Sequence, residues 1–166
     1  LSRTVAATET VTVSYTKPES GAVVQDAAGN HAANFSANPV VADTTPPMIS
    51  TAVVTGNQLV LTYTEAGTLD AAAFAGSAGY AVGTAAGTAA ITVSSAVVNA
   101  TAKTVTLTLS RAVANSETLT VSYTKPESGV VVQDAVGNDA ANFSDRAVIN
   151  NTPAPVDTTP PEFHSA

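Results

Sequence analysis

The chain has no cysteine, no tryptophan, only six lysines and arginines, and no apolar run approaching a membrane span. Each absence closes a class of function. Without cysteine there is no disulfide framework and no thiolate metal site. The cations Arg3, Lys17, Lys103, Arg111, Lys125 and Arg146 are scattered along a chain of net charge −7. A phosphate-binding surface needs clustered cations, so nucleic acid is not an expected partner. A spanning helix needs roughly 18 or more apolar residues in a row, and none occurs. Histidine is scarce too: His31 gives way to Asp139 in an internal repeat, and His164 stands alone. Neither has zinc spacing, and no Gly-x-Ser-x-Gly elbow accompanies the many serines, so hydrolytic catalysis is not expected. Leu1 opens neither a signal peptide nor an initiator methionine, so the chain is expected to be a piece of a longer protein.

What is present is valine and threonine in alternation, with alanine, serine, glycine and asparagine between. Hydrophobic residues make up 45% and charged residues 11%. Disorder has the opposite balance, so an ordered β-protein is expected. The organising feature is a repeat. Of the first 36 residues, 29 recur at an offset of 108, in the segment from Leu109 to Ser144. Both copies carry Val-Ser-Tyr-Thr-Lys-Pro-Glu-Ser-Gly, then Gln-Asp-Ala-x-Gly-Asn, then Asn-Phe-Ser. Fixed-period similarity of this kind marks a repeat protein.

Asp43-Thr44-Thr45-Pro46-Pro47 returns as Asp157-Thr158-Thr159-Pro160-Pro161. Paired prolines stiffen a junction and remove two donors, as a linker does. The expected organisation is therefore the back part of one repeat over 1–42, a complete repeat over 43–156, and a linker with the start of the next over 157–166. Within the complete repeat, strands are expected over 48–54, 58–64, 80–82, 89–98, 103–110, 117–124, 130–133 and 143–150. A single helical turn could occupy 71–74, after the cap-like Leu69-Asp70. The expected fold is an all-β, Ig-like antiparallel sandwich of about seven strands. Tyr15, Tyr63 and Tyr123 are in phase with the apolar faces and read as core.

The order Asp-Thr-Thr-Pro-Pro, Leu-x-Leu-x-Tyr-Thr-Glu, Leu-x-Val-x-Tyr-Thr, then Asp-x-x-Gly-Asn with Phe-Ser, resembles bacterial Ig-like repeats of giant surface proteins. It is most similar to the repeat described as flagellar-system-associated, and related patterns occur in surface-layer proteins. The resemblance implies a sandwich spacer strung in tandem at the bacterial surface, often with calcium at its junctions. The alanine-rich middle, 71–90, departs from that pattern.

In such a sandwich, the loop after the second strand and the loop before the last fall at the pole where the chain enters. That gathers Asp43, Glu65, Asp70, Asp134, Asn138 and Asp139; Asp26 and Asn30 form the corresponding half-site of the preceding repeat. Calcium takes six to eight hard oxygens, and carboxylates and amides supply them. The same Asp-x-x-Gly-Asn also suits an ordinary turn in which Asp bonds its own loop. Three functions compete. The first is a non-catalytic, calcium-stiffened spacer of a long extracellular adhesin, with neighbouring repeats as partners. The second is an assembling subunit of a surface layer or filament, whose half-repeat is completed by an identical chain. The third is an accessory domain of a glycan-active enzyme, for which the chain offers no aromatic platform.

Overall fold

The computed structural model describes residues 5, 9–40, 42–159 and 162. Pro160, Pro161 and His164, named above, lie outside the described residues, as does Arg3. The chain divides into two compact units, Leu1–Thr44 and Thr45–Ala166.

The first unit is a strand pair, β1 (Val11–Tyr15) antiparallel to β2 (Phe35–Val40), with Tyr15 opposite Phe35 and Val13 opposite Asn38. The long connection folds back on itself. Gln25 bridges His31, and the Tyr15 hydroxyl accepts a hydrogen bond from Val24 N at 3.2 Å.

The second unit holds β3 (Met48–Thr55), β4 (Gln58–Thr64), β5 (Tyr80–Thr84), β6 (Val93–Asn99), β7 (Thr104–Leu109), β8 (Leu119–Tyr123), β9 (Phe143–Ala147) and β10 (Ile149–Asn150). Five strands form one sheet in the order β10-β3-β4-β7-β6, and three form another in the order β5-β8-β9. Strict alternation makes these strands. Leu59, Leu61 and Tyr63 of β4, Val105, Leu107 and Leu109 of β7, and Leu119, Val121 and Tyr123 of β8 are all buried, with threonines and other residues between them facing outward. The two sheets thus contribute to one β-sandwich core, each fully buried valine or leucine stabilising by about 1.5–3 kcal/mol.

Between the sheets lies a buried polar contact. The hydroxyls of Tyr63 on β4 and Tyr80 on β5 are 2.7 Å apart and buried. Burial raises both phenol pKa values well above the ordinary range, so both stay protonated.

Three details differ from the sequence expectation. Strand β10 pairs with β3 in parallel, Ile149 opposite Val53, so the sandwich is not wholly antiparallel. Residues 71–74 form no helical turn: the Asp70 carboxylate takes the Ala72 N–H, and Gly76 and Gly79, both at positive φ, follow at once. The strand expected over 130–133 survives only as bridges from Gln133 to Asp139 and from Asp134 to Leu69. Gly129 and Gly137, both at positive φ, bound that short segment.

Candidate functional site

Strand β4 ends at Thr64 and delivers Glu65 into a loop where its Oε1 accepts the Gly67 N–H at 2.9 Å. That loop is tied to the segment before β9 by backbone bonds: Asp70 N to Gln133 O at 2.9 Å and Ala135 N to Thr68 O at 3.0 Å. The two loops expected to meet at one pole therefore do so. Glu65 and Asp134 are both buried, and each offers a carboxylate oxygen within 4.8 Å of the other.

Asp134 also organises its own loop. Its Oδ1 accepts Val136 N at 3.0 Å and Asn138 N at 2.8 Å, while its Oδ2 accepts the Asn138 side-chain amide at 2.7 Å. Burial pushes its pKa up, but these hydrogen bonds outweigh burial and hold the carboxyl below the usual range. The earlier copy repeats the scheme. Asp26 accepts Ala28 N, Asn30 N and the Asn30 amide at 3.0, 2.9 and 2.8 Å, and Asn30's bonds, the largest effect, lower its pKa. The turn chemistry is thus written into the local sequence.

The remaining acids have other partners. Asp70 accepts Ala72 N at 3.1 Å and Gln133 Nε2 at 2.6 Å. Asp139 pairs with Lys125 at 3.0 Å, toward solvent. Among the described residues neither carboxylate joins the close group around Glu65 and Asp134. Asp43 lies in the proline linker, within the span of the first unit.

Two features at the sandwich ends were not anticipated. Lys103, at φ 57°, donates from Nζ to the Glu65 carbonyl at 2.6 Å and so places a cation beside the acidic loop. At the opposite end of β4, Arg111 grips Glu117 with both guanidinium nitrogens, and Glu117 Oε2 also accepts Ala114 N. This pair lines an open, shallow concavity of about 520 Å³ together with Ala85, Thr88, Ala89 and Ala114. A signal for it existed in the repeat: Arg111 and Glu117 recur as Arg3 and Glu9, while Ala112, Asn115 and Ser116 between them change.

The profile of the family described as "Putative flagellar system-associated repeat" matches residues 42–128, just over half of the chain. The chain belongs to this repeat family. The match begins at the linker and ends on the turn after β8. A solved structure, the N-terminal part of the bacterial S-layer protein SbsC, is similar with a TM-score of 0.50 and 20% sequence identity. The likeness covers 66% of this chain and 24% of that one, and it supports the repeat's β-fold. No curated protein matches the chain.

Proposed function

We propose that this chain is a non-catalytic spacer segment of a long bacterial surface or secreted protein, built from tandem repeats and stiffened by calcium at the junctions between them. The observation that carries the spacer reading is the repetition itself. One sequence folds twice into the same strand pair and the same aspartate-closed loop within a chain of a repeat family. The likeness to part of an S-layer protein supports a place at the cell surface.

The calcium reading is supported by the buried pair of Glu65 and Asp134. Calcium–oxygen bonds run 2.3–2.6 Å, so two oxygens on one ion stand up to about 5 Å apart, and the 4.8 Å limit on this pair fits. The linker supplies a further acid. Asp43 stands five residues before Met48, and Met48 pairs with Thr64, the neighbour of Glu65. Five residues reach at most about 17 Å, which sets the linker's range around that loop. An ion held by Asp43, Glu65 and Asp134 would tie linker to sandwich, with Asp70, Asn138 and Asp139 as the outer acids and amides of the loops. Asp26 and Asn30 would serve the junction of the preceding repeat.

Thermal unfolding of the chain in 10 mM calcium and in chelator tests the metal. Extracellular calcium modules bind at about 10⁻⁴–10⁻³ M, which predicts a rise in Tm of roughly 5 °C or more. Glu65→Gln and Asp43→Asn should each reduce the rise. An unchanged Tm removes calcium from the proposal and leaves the spacer reading standing.

A further inference from the structure

The internal repeat shows what has been added where the chain leaves the second unit. The offset of 108 holds through the paired strands: Val13 faces Asn38 as Val121 faces Arg146, and Ala37 and Asp145 share a φ near 50°. By that offset Asn150 stands where Ala42 does. Asp43 follows Ala42 directly, whereas Asp157 comes seven residues after Asn150. Six residues, Asn151-Thr152-Pro153-Ala154-Pro155-Val156, are therefore inserted ahead of the second Asp-Thr-Thr-Pro-Pro and have no counterpart ahead of the first.

The start of this insertion is fastened to the sandwich at the end opposite Glu65. Asn151 N donates to Val54 O at 2.8 Å, and Gly56 N donates to Thr152 Oγ1 at 3.0 Å. The Asn115 side-chain amide donates to Thr152 O at 2.6 Å. Asn150 Nδ2 donates to Ala114 O at 2.7 Å and Glu117 O at 2.9 Å, while its Oδ1 accepts Thr152 N at 2.9 Å. The loop that receives these bonds is itself held, by Val113 N to Gly56 O at 2.9 Å and by the grip of Arg111 on Glu117. Past Thr152 the chain runs exposed over residues 153–159, Val156 by 85%. Pro153 and Pro155 fix their own φ and hold Thr152 and Ala154 extended. At the polyproline rise, residues 153–156 reach about 12 Å.

The two asparagines of this fastening are missing from the other copy. Where Asn115 and Asn150 stand, that copy has Ala7 and Ala42, which carry no side-chain amide. A general need to brace the loop would call for them in both copies. Instead, the side chains that hold the insertion and the insertion itself occur together and are lacking together.

We propose that Asn115, Asn150 and Thr152 form a clamp that directs the outgoing linker, and that an array of these repeats carries two kinds of joint. One is close, with the linker aspartate directly after the last strand position, as at Asp43. The other is spaced, its first residues fixed to the sandwich and the Pro-Ala-Pro segment projecting as a strut. The partner at the spaced joint is the following repeat, held off by the strut and aimed by the clamp. The inference rests on the tandem-repeat reading and not on calcium.

The absence of cysteine permits site-directed spin labelling. The full chain with Val97→Cys and Val156→Cys carries one nitroxide on the exposed edge strand β6 and one at the end of the strut. Pulsed dipolar spectroscopy in chelator then reads the spread of distances between them, and a single narrow distribution is expected. Asn115→Ala, the residue of the other copy, should broaden it about twofold, as release of a linker segment does. Thr152→Ala, which removes only the acceptor of Gly56 N, should broaden it as well. Hydrogen exchange without labels gives a second reading: Asn115→Ala should speed exchange at Asn151 and Thr152 on the order of tenfold and leave core Leu107 unchanged. A parent distribution as broad as those of the variants, exchange at Thr152 unmoved by Asn115→Ala, or acceleration shared by Leu107 overturns the clamp and leaves the tandem-repeat reading intact.

Discussion

The hydroxyls of Tyr63 and Tyr80 meet at 2.7 Å inside the second unit, one from each sheet, in a core of mainly apolar side chains. A buried hydroxyl that loses its partner keeps its desolvation cost, whereas losing both together removes the problem. Tyr63→Phe is therefore expected to destabilise the unit by about 1–3 kcal/mol in urea unfolding. Tyr63→Phe with Tyr80→Phe should cost less than the sum of the two single changes, and additive costs would show that the contact carries no coupling.

The two copies of one strand give a matched pair of core substitutions. Val121→Ala should cost about 2–3 kcal/mol, because its site is closed on all sides. Val13→Ala, at a site nearly half open, should cost less than about 0.5 kcal/mol. Separate urea transitions for the two variants decide it, and equal losses would mean the first unit is covered in solution.

Acid should weaken the pole held by Arg111 and Glu117. The bidentate hydrogen bonds from Arg111, opposed by burial, hold the Glu117 carboxyl at about 2 against an ordinary 4.5. A carboxylate whose folded pKa is depressed contributes stability in full above its unfolded value and loses it as pH falls toward the folded one. The contribution should thus be complete above about pH 4.5 and fade toward about pH 2. Glu117→Gln should flatten that part of the stability profile measured by denaturant titration.

Two glycines at the same φ of 85° separate backbone strain from collision. At Gly87 an added methyl meets nothing within 4 Å, so Gly87→Ala should cost about 1 kcal/mol from φ alone. At Gly79 the methyl would stand 2.2 Å from the Thr124 carbonyl oxygen, which belongs to backbone and cannot swing aside. Gly79→Ala should cost at least about 2 kcal/mol more than Gly87→Ala, by the difference in their unfolding midpoints.

Much of the fold was legible because its strands obey a period of two. Leu59, Leu61 and Tyr63, or Leu119, Val121 and Tyr123, declare a buried face without help from the rest of the chain. The proximity of Glu65 to Asp134 followed from topology, since successive antiparallel strands return their loops to fixed poles. The alanine-rich middle was less legible. Alanine fits helix, strand and coil, and only the glycines at 76 and 79 and the Asp70 carboxylate decide against helix. Strand β10 was hidden for another reason. Ile149 and Asn150 continue past β9 by way of Val148, and nothing in their side chains reveals that they leave one sheet to join another. The fates of Asp70 and Asp139 depended on partners distant in sequence, Gln133 and Lys125, which no local pattern links to them.

That small strand has a mechanical consequence. Because β10 runs parallel to β3, the first and last strands of the sandwich lie side by side, joined by the register of Ile149 with Val53 and Asn150 with Val54 and by Asn151 N to Val54 O at 2.8 Å. Tension applied through the two ends of the sandwich slides these strands along one another. The bonds between them are then loaded together in shear instead of being peeled one at a time.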